Sequence, residues 1–176
     1  MPPIYTIGHS TRTFDELIEA LRAHQITLLV DIRAFPASRR LPHFNRESLE
    51  TTLPAAGIDY LWMRDLGGRR NKQRDDSPNT GLRNASFRNY ADYMLTPQFQ
   101  AAAGELISLA SDGSRRVAIM CAERVWFHCH RMLVSDWLVG RGHQVLHIDG
   151  AGPAREHKML AEAQVRDGNV IYAGLF

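Results

Sequence analysis

Short apolar runs alternate along this chain with segments whose apolar residues recur at helical spacing. The runs with the length of strands are residues 4–8, 27–32, 59–63, 117–120 and 144–148. Runs that are almost wholly apolar are typical of strands covered on both faces by helices. The alternation predicts an α/β fold, as one domain over residues 1–176. We expect a mostly parallel sheet of about five to six strands with helices on both faces.

Helix signals fill the intervals between these runs. Thr13 and Glu16 have the spacing of a capping box, and Thr96 before Pro97 predicts the start of a helix that ends near residue 113. Gly142 is typical of the residue that closes a helix. The further predicted helices are residues 45–56, 87–94, 129–141 and 153–165, and a last short strand is predicted over 169–173.

The pattern breaks at residues 64–86, a polar stretch of about twenty residues that is longer than a usual connection. Its length favours a functional loop or lid. Basic residues outnumber acidic ones in and next to it, and two more arginines leave the same predicted edge. The basic residues are Arg39, Arg40, Arg64, Arg69, Arg70, Lys72, Arg74, Arg83 and Arg88. Such a patch is able to track a sugar-phosphate backbone, and a solvated flexible loop explains it equally well.

Composition narrows the function classes. The chain has 176 residues, of which 44% are hydrophobic, and this suits one globular core. A net charge of +2 gives too weak a field to indicate nucleic acid by itself. No stretch has the roughly 20 apolar residues of a membrane span, and the first residues lack a secretory signal, so we expect a cytoplasmic protein. Its two cysteines are then free thiols or ligands.

Polar side chains follow the predicted strands where each apolar run stops. In a parallel sheet the carboxyl ends of the strands share one edge, and ligands bind there. Cys129, His130 and Arg131 stand at the start of the following helix, whose N-terminus attracts anions. The strand-end residues are His9, Ser10, Asp31, Arg33, Cys121, Glu123, His147 and Asp149. The other histidines, including His157, are expected at the surface or in packing.

These residue types predict an enzyme that acts on a phosphorylated or other anionic substrate. Positive neighbours and the helix dipole favour a thiolate at Cys129, and Cys121 is the second candidate nucleophile. The proton carriers are expected to be His9 or His130. Arg33 and Arg131 are expected to hold the anion, with Glu123 and Asp31 orienting these two cations. Buried apolar thiols and a structural ion pair are the simpler explanations, and a nucleic-acid-binding module without catalysis is the alternative function.

A zinc site is a further possibility. Cys121, Cys129 and His130, with His9, are suitable donors, although their spacing matches no known ligand pattern. The sequence therefore assigns no metal ligand, and the cofactor stays open.

Several blocks of the chain resemble one family. They include Thr6-Ile-Gly-His-Ser10, Leu29-Val-Asp-Ile-Arg33, Leu66-Gly-Gly-Arg-Arg70, Tyr90-Ala-Asp-Tyr-Met94, Met120-Cys-Ala-Glu123 and Cys129-His-Arg131. In this order they are similar to the signature blocks of the domain of unknown function 488 family. The resemblance implies a compact cytoplasmic α/β domain and supplies no reaction. Its motif residues extend the expected substrate-binding set to Ser10, Arg39, Arg69, Arg70 and Tyr90.

The order of chemical groups also resembles the rhodanese-like sulfurtransferases and the related phosphatases. A strand that ends in Asp-x-Arg, a later strand that ends in Cys121 and an arginine at the next helix occur in that layout. In those proteins the cysteine opens a tight anion-binding loop. Here the loop from Cys121 to Cys129 contains Trp126 and Phe127 and no glycine.

Overall fold

The sheet contains six strands and is parallel except at one edge. A computed structural model describes residues 1–174, so the last two residues of the predicted domain lie outside the described range. The strand order is β3-β2-β4-β1-β5-β6, and only β6 runs antiparallel. The strands are β1 (Ile4–Gly8), β2 (Leu28–Asp31), β3 (Asp59–Trp62), β4 (Val117–Cys121), β5 (Val145–Ile148) and β6 (Arg155–Glu156). The predicted mostly parallel α/β sheet is confirmed.

Five α-helices connect the strands. They are α1 (Phe14–Ala23), α2 (Arg46–Ala55), α3 (Ala85–Tyr93), α4 (Pro97–Ser111) and α5 (Arg131–Gly140). Thr13 and Glu16 form the predicted capping box, and the Thr96 side chain accepts from the backbone N–H of Phe99. Asn45 precedes α2 but does not cap it, because its Oδ1 accepts from the backbone N–H of Ser38 instead.

Helices cover both faces of the sheet, as predicted. On one face, α1 and α2 contribute Leu17 and Leu53 to a core with Ile7 of β1. On the other face, α3, α4 and α5 pack over a second core that contains Ile4 and Trp137. The cysteines Cys121 and Cys129 belong to this second core. Side chains alternate along a strand, so the residues of β1 divide between the two cores.

The predicted helix over residues 153–165 is wrong. The chain there forms β6, an irregular segment and β7 (Ala163–Arg166), which pairs antiparallel with β8 (Asn169–Tyr172). Asp167 and Gly168 turn between these two strands with φ of 50° and 79°. Asp-Gly is the preferred pair for a two-residue hairpin that needs positive φ at both positions. The last predicted strand is confirmed.

The long polar connection is irregular after a short 3₁₀ turn at Arg64–Leu66, and its second half is fixed to β8. Asn79 is fully buried and its Oδ1 accepts from the backbone N–H of Tyr172 at 2.9 Å. The N–H of Gly81 donates to the carbonyl of Tyr172 at 2.7 Å. Asp92 in α3 accepts from the Asn79 side chain at 2.7 Å. These bonds tie the connection from Asn79 onward to the last strand, while residues 71–76 are exposed to solvent.

The helices in residues 1–174 were also compared with the requirements of a membrane span. None of them is both long enough and apolar enough to cross a bilayer.

Candidate active site

A cleft of about 370 Å³ lies at the carboxyl edge of the sheet, beyond β2 and β4. This volume is in the range of small-molecule sites. Its walls come from the segment after β2, the connection around residue 68, the start of α3 and the loop between β4 and α5. The lining residues are Arg33, Ala34, Phe35, Ala37, Gly68, Arg69, Ser86, Phe87, Tyr90, Cys121, Ala122, Glu123, His128, Cys129 and His130.

Two thiols lie together in this cleft. Cys121 ends β4, Cys129 ends the loop before α5, and their Sγ atoms are 2.9 Å apart. Burial works against ionisation of Cys121, but the hydrogen bond from Cys129 and the charge of Arg131 lower its pKa overall. Hydrogen bonding to Cys121, followed by burial, raises the pKa of Cys129. Ionisation of the pair is therefore favoured at Cys121 over Cys129, the reverse of the order expected from the helix N-terminus.

Arg131 holds the loop between the thiols from inside the protein. Only 1% of its surface is exposed. Its Nη2 donates to the carbonyls of Glu123 and Arg124 at 3.1 and 3.0 Å. Within residues 1–174 its Nε and Nη1 have no hydrogen-bond partner. A buried cation without a carboxylate partner favours negative charge close by, and this agrees with a thiolate at Cys121.

The same loop rests on the end of β1. Gly8 pairs with Cys121 in the sheet register, and the next residue, His9, donates its N–H to the Cys121 carbonyl at 3.0 Å. A Cβ atom on Gly8 would stand 1.8 Å from the carbonyl oxygen of Glu123. Only glycine allows this close approach of two backbones.

Asp31 and Arg33 form a buried ion pair behind the cleft. Arg33 donates from Nε and Nη2 to the two Asp31 oxygens at 2.9 and 2.6 Å, and Tyr60 donates to Asp31 at 2.6 Å. A further bond goes from Arg33 to the carbonyl of Phe44. Arg33 reaches the cleft wall, but most of its donors already have partners. Its main contact is the ion pair with Asp31, which is the structural alternative to anion binding that the sequence also allowed.

His9 lies next to this pair rather than in the cleft. Arg33 Nη1 is 3.3 Å from His9 Nε2, and His9 Nδ1 is 2.9 Å from the carbonyl of Ser10. Since an arginine only donates and a carbonyl only accepts, His9 is neutral with its proton on Nδ1. Burial is the main cause that lowers its pKa to about 4. Both ring nitrogens are engaged, and Ser10 also lies outside the cleft wall.

His130 lines the cleft and joins α5 to the sheet. Its Nε2 donates to the carbonyl of Ile32 at 2.8 Å, and burial lowers its pKa to about 4. The ring packs at 5.0 Å from that of Tyr90, and a Cβ on Gly68 would meet its Nδ1 at 2.8 Å. Tyr90 lines the cleft with its ring, while its hydroxyl donates to the carbonyl of Leu66. These two residues shape the wall.

The predicted arginines divide into cleft and loop residues. Arg69 is exposed at the cleft, and its guanidinium lies 5.9 Å from the centre of the Phe35 ring. Arg70 donates to the carbonyls of Gly67 and Arg64 and stacks over Tyr93, so it braces the connection. Arg39 is exposed and is not part of the cleft wall.

Sequence reasoning missed two residues of the cleft wall and one exposed neighbour. His128 is an exposed histidine on the wall, directly before Cys129. Phe35 on the cleft wall is 70% exposed, and Phe127 next to His128 is 50% exposed, although large apolar side chains are usually covered. Phe35 lies in an irregular segment, and Phe127 and His128 lie in a single 3₁₀ turn, so no periodicity indicates the direction of these side chains. In the sequence, the signals for these side chains were their neighbours: Pro36 follows Phe35, and Cys129 follows His128.

A buried chain of polar side chains under α5 was also missed. Thr6 Oγ1 is 2.5 Å from His147 Nδ1, and His147 Nε2 is 2.8 Å from His157 Nδ1. His157 Nε2 is 2.7 Å from Asp136 Oδ1, and Tyr172 donates to Asp136 Oδ2 at 2.8 Å. His157 is buried in this network, so it packs inside the fold rather than lying at the surface.

Residues 1–174 contain no group of three or more histidine, cysteine or acidic side chains placed to hold a metal ion. His9 and His130 direct nitrogens to Arg33 and Ile32. Among these residues, the sulfur atoms of Cys121 and Cys129 contact each other without a third metal donor beside them.

Fold and site together define an α/β protein with a thiol pair in a cleft at the carboxyl edge of its sheet. The sequence model of the family described as "Domain of unknown function DUF488" matches residues 13–138, and the chain belongs to this family. The resemblance of the sequence blocks is thereby confirmed. No curated protein and no solved structure matches the chain.

Proposed function

We propose that the protein is a cysteine-dependent enzyme that transfers or hydrolyses a group on an anionic substrate bound in the cleft. The observation that carries this proposal is the contact of 2.9 Å between Cys121 Sγ and Cys129 Sγ on the wall of a cleft that also bears Arg69 and His128. A thiolate next to a bound electrophile is the usual requirement for nucleophilic catalysis by cysteine.

Cys121 is the nucleophile in this proposal. Its sulfur receives a hydrogen bond from the Cys129 thiol, and the uncompensated charge of Arg131 lies near it. Both interactions stabilise the thiolate over the thiol. The thiolate attacks the electrophilic atom of the substrate, a bond from sulfur to that atom forms, and the leaving group departs with the electron pair of the broken bond.

Proton transfer is assigned to His128 instead of His9 or His130. The rings of His9 and His130 are held by hydrogen bonds to Ser10 and Ile32, whereas His128 is exposed on the cleft wall. A general acid has to reach the leaving group, and an exposed imidazole next to the nucleophile has that freedom. His128 then protonates the leaving group and later activates the water that releases the bound group.

Arg69 attracts the anion. It is exposed at the cleft mouth, and within residues 1–174 its guanidinium contacts the Phe35 ring without a carboxylate partner. Most donors of Arg33 are bound to Asp31 and Phe44, so Arg33 contributes charge rather than a free clamp. Arg131 holds the backbone carbonyl of Glu123. The Glu123 side chain adds negative charge to the cleft wall, and this limits the negative charge that a bound substrate carries.

Turnover of three anionic probes tests the proposal. The probes are p-nitrophenyl phosphate, a carboxylate-bearing p-nitrophenyl ester, and thiosulfate with cyanide as acceptor. We expect turnover of at least one of them, loss of that turnover in Cys121→Ser, and a decrease of roughly tenfold in Cys129→Ala, which removes the hydrogen-bond donor to Cys121. Arg83→Gln, outside the cleft wall, is the matched control. Failure with all three probes, or full activity in Cys121→Ser, contradicts the proposal.

A further inference from the structure

The two sulfur atoms are placed to react with each other as well as with a substrate. Both cysteines are free, and a disulfide bond requires an Sγ to Sγ distance of about 2.05 Å, so the atoms need to approach by about 0.9 Å. We propose that Cys121 and Cys129 are a reversible dithiol–disulfide pair, oxidised by small hydroperoxides that enter the cleft and reduced again by thiols.

The surrounding backbone holds the pair in place. Cys121 ends a strand in the interior of the sheet, between β2 and β1. The Cys129 carbonyl accepts from the N–H of Met132 in the first turn of α5, and the loop between the cysteines is held by Arg131. The contact therefore belongs to the folded state and does not require a loop to close. Preorganisation of this kind favours a bond within the chain over one between two molecules.

Oxidation takes place in two steps. The Cys121 thiolate attacks one oxygen of a hydroperoxide ROOH, so that a sulfur–oxygen bond forms, the O–O bond breaks, and the alkoxide takes a proton from solvent to leave as ROH. The Cys129 thiol then attacks the Cys121 sulfur. The disulfide bond forms, the sulfur–oxygen bond breaks, and the hydroxyl leaves as water with the Cys129 proton. The two thiols lose two electrons in total, and these reduce the peroxide.

Reduction has a preferred direction. Cys129 is 9% exposed and Cys121 is 2% exposed, so an incoming thiolate reaches Cys129 more easily. Attack on Cys129 releases Cys121 as the leaving thiolate, and the sulfur with the lower pKa leaves faster. The arrangement that supports Cys121 as nucleophile therefore also makes it the released thiolate. A second thiol attacks the mixed disulfide on Cys129 and restores both free cysteines.

The disulfide removes the nucleophile from the cleft. Its effect on catalysis rests on the proposed function, because only an enzyme that uses Cys121 loses turnover on oxidation. Formation of the Cys121–Cys129 disulfide does not depend on the enzyme's substrate. The disulfide proposal and the proposed enzymatic function can therefore fail separately.

Titration of the whole protein with hydrogen peroxide tests the pair. We expect the number of free thiols, counted after denaturation, to fall from two to zero, with a loss of two hydrogen atoms from the intact mass. Peptide mapping should find a Cys121–Cys129 bond within one chain, and dithiothreitol should restore both thiols. In Cys129→Ser, oxidation should stop at a sulfenic acid on Cys121 that reacts with dimedone.

Three results would overturn the inference. They are disulfides only between chains, direct conversion of wild-type Cys121 to sulfinic acid with Cys129 still reduced, and Cys129 oxidised at an unchanged rate in Cys121→Ser. Cys121→Ala and Cys129→Ala, checked by circular dichroism, guard against a folding effect of serine in the core. Peptide mapping of the wild-type protein tests the disulfide without any substitution, so a folding defect of a variant does not affect this result.

Discussion

His157 Nε2 lies 2.7 Å from Asp136 Oδ1 in the interior of the protein, and both side chains are inaccessible to solvent. Asp136 also accepts from the Tyr172 hydroxyl and from the N–H of Leu160. Three donors therefore surround this one buried carboxylate. With the Nε2 proton of His157 directed to Asp136, its Nδ1 accepts from His147 Nε2, and His147 Nδ1 accepts from the Thr6 hydroxyl.

Asp136→Ala should destabilise the fold by about 3–5 kcal/mol, because it leaves the buried donors of His157 and Tyr172 without an acceptor. Urea unfolding followed by circular dichroism measures the change. The control is Asp75→Ala, which breaks the exposed ion pair with Lys72 and should cost about 1 kcal/mol or less. Equal effects of the two changes would contradict a stabilising role for the buried network.

The stability of the protein should decrease as the pH falls from about 6.5 toward about 4. Burial lowers the pKa of His9 and His130 to about 4 and that of His147 to about 3, against an ordinary value of 6.5. The folded state thus binds fewer protons than the unfolded state below pH 6.5, and acid favours unfolding. Above pH 6.5 these groups are neutral in both states, and their contribution is constant.

Replacing one of these histidines isolates its part of the pH dependence. His9→Asn should reduce the proton uptake on unfolding at pH 5 by about one proton, seen as a shallower slope of unfolding free energy against pH. The slope is informative even if the variant is less stable overall. Gln73→Asn, at an exposed position without a titratable group, should leave the slope unchanged. A slope that His9→Asn does not alter would mean that His9 is protonated in the folded protein.

Gly8→Ala should disrupt the site, since its Cβ would stand 1.8 Å from the Glu123 carbonyl oxygen. We expect a loss of at least about 2 kcal/mol in unfolding free energy and slower alkylation of Cys121. Gly104→Ala is the matched control at an exposed position of α4, where a Cβ meets nothing within 4 Å and should stabilise the helix by about 0.5–1 kcal/mol. Tolerance of both changes would show that the loop moves freely from β1.

Arg69→Gln should weaken the preference of the cleft for anions. Iodoacetate and iodoacetamide share a leaving group and differ in charge, so their ratio of alkylation rates at Cys121 reports the local field. We expect the variant to lower this ratio roughly fivefold, equivalent to ~1 kcal/mol for a partly exposed charge. Arg74→Gln, whose guanidinium is already paired with Asp76, should leave the ratio unchanged. An effect of Arg74 equal to that of Arg69 would favour the basic loop as the anion site.

The central fold was predictable because each parallel strand and its helix carry a local signal. Apolar runs such as residues 117–120 and caps such as Thr13 and Thr96 are short-range features. Residues 153–165 were predicted wrongly as a helix, since His157 there is buried by a partner 21 residues earlier in the chain. Long-range hydrogen bonds of this kind leave no periodicity in the sequence.

The location of the candidate site could be predicted from the sequence, whereas the roles of its residues could be predicted only in part. Parallel topology alone brings Arg33, Cys121 and Cys129 to one edge. The order of the two thiol pKa values depends on which sulfur accepts the hydrogen bond. The His9 ring is held in place by its hydrogen bond to the carbonyl of Ser10. Both are set by three-dimensional geometry that residue types do not encode.

The attachment of Asn79 and Gly81 to Tyr172 has a consequence for the order of folding during synthesis. Ribosomes release the middle of a chain well before its last strands, and domains fold as their segments emerge. The connection beside the cleft therefore waits for β8 before its buried Asn79 finds a backbone partner.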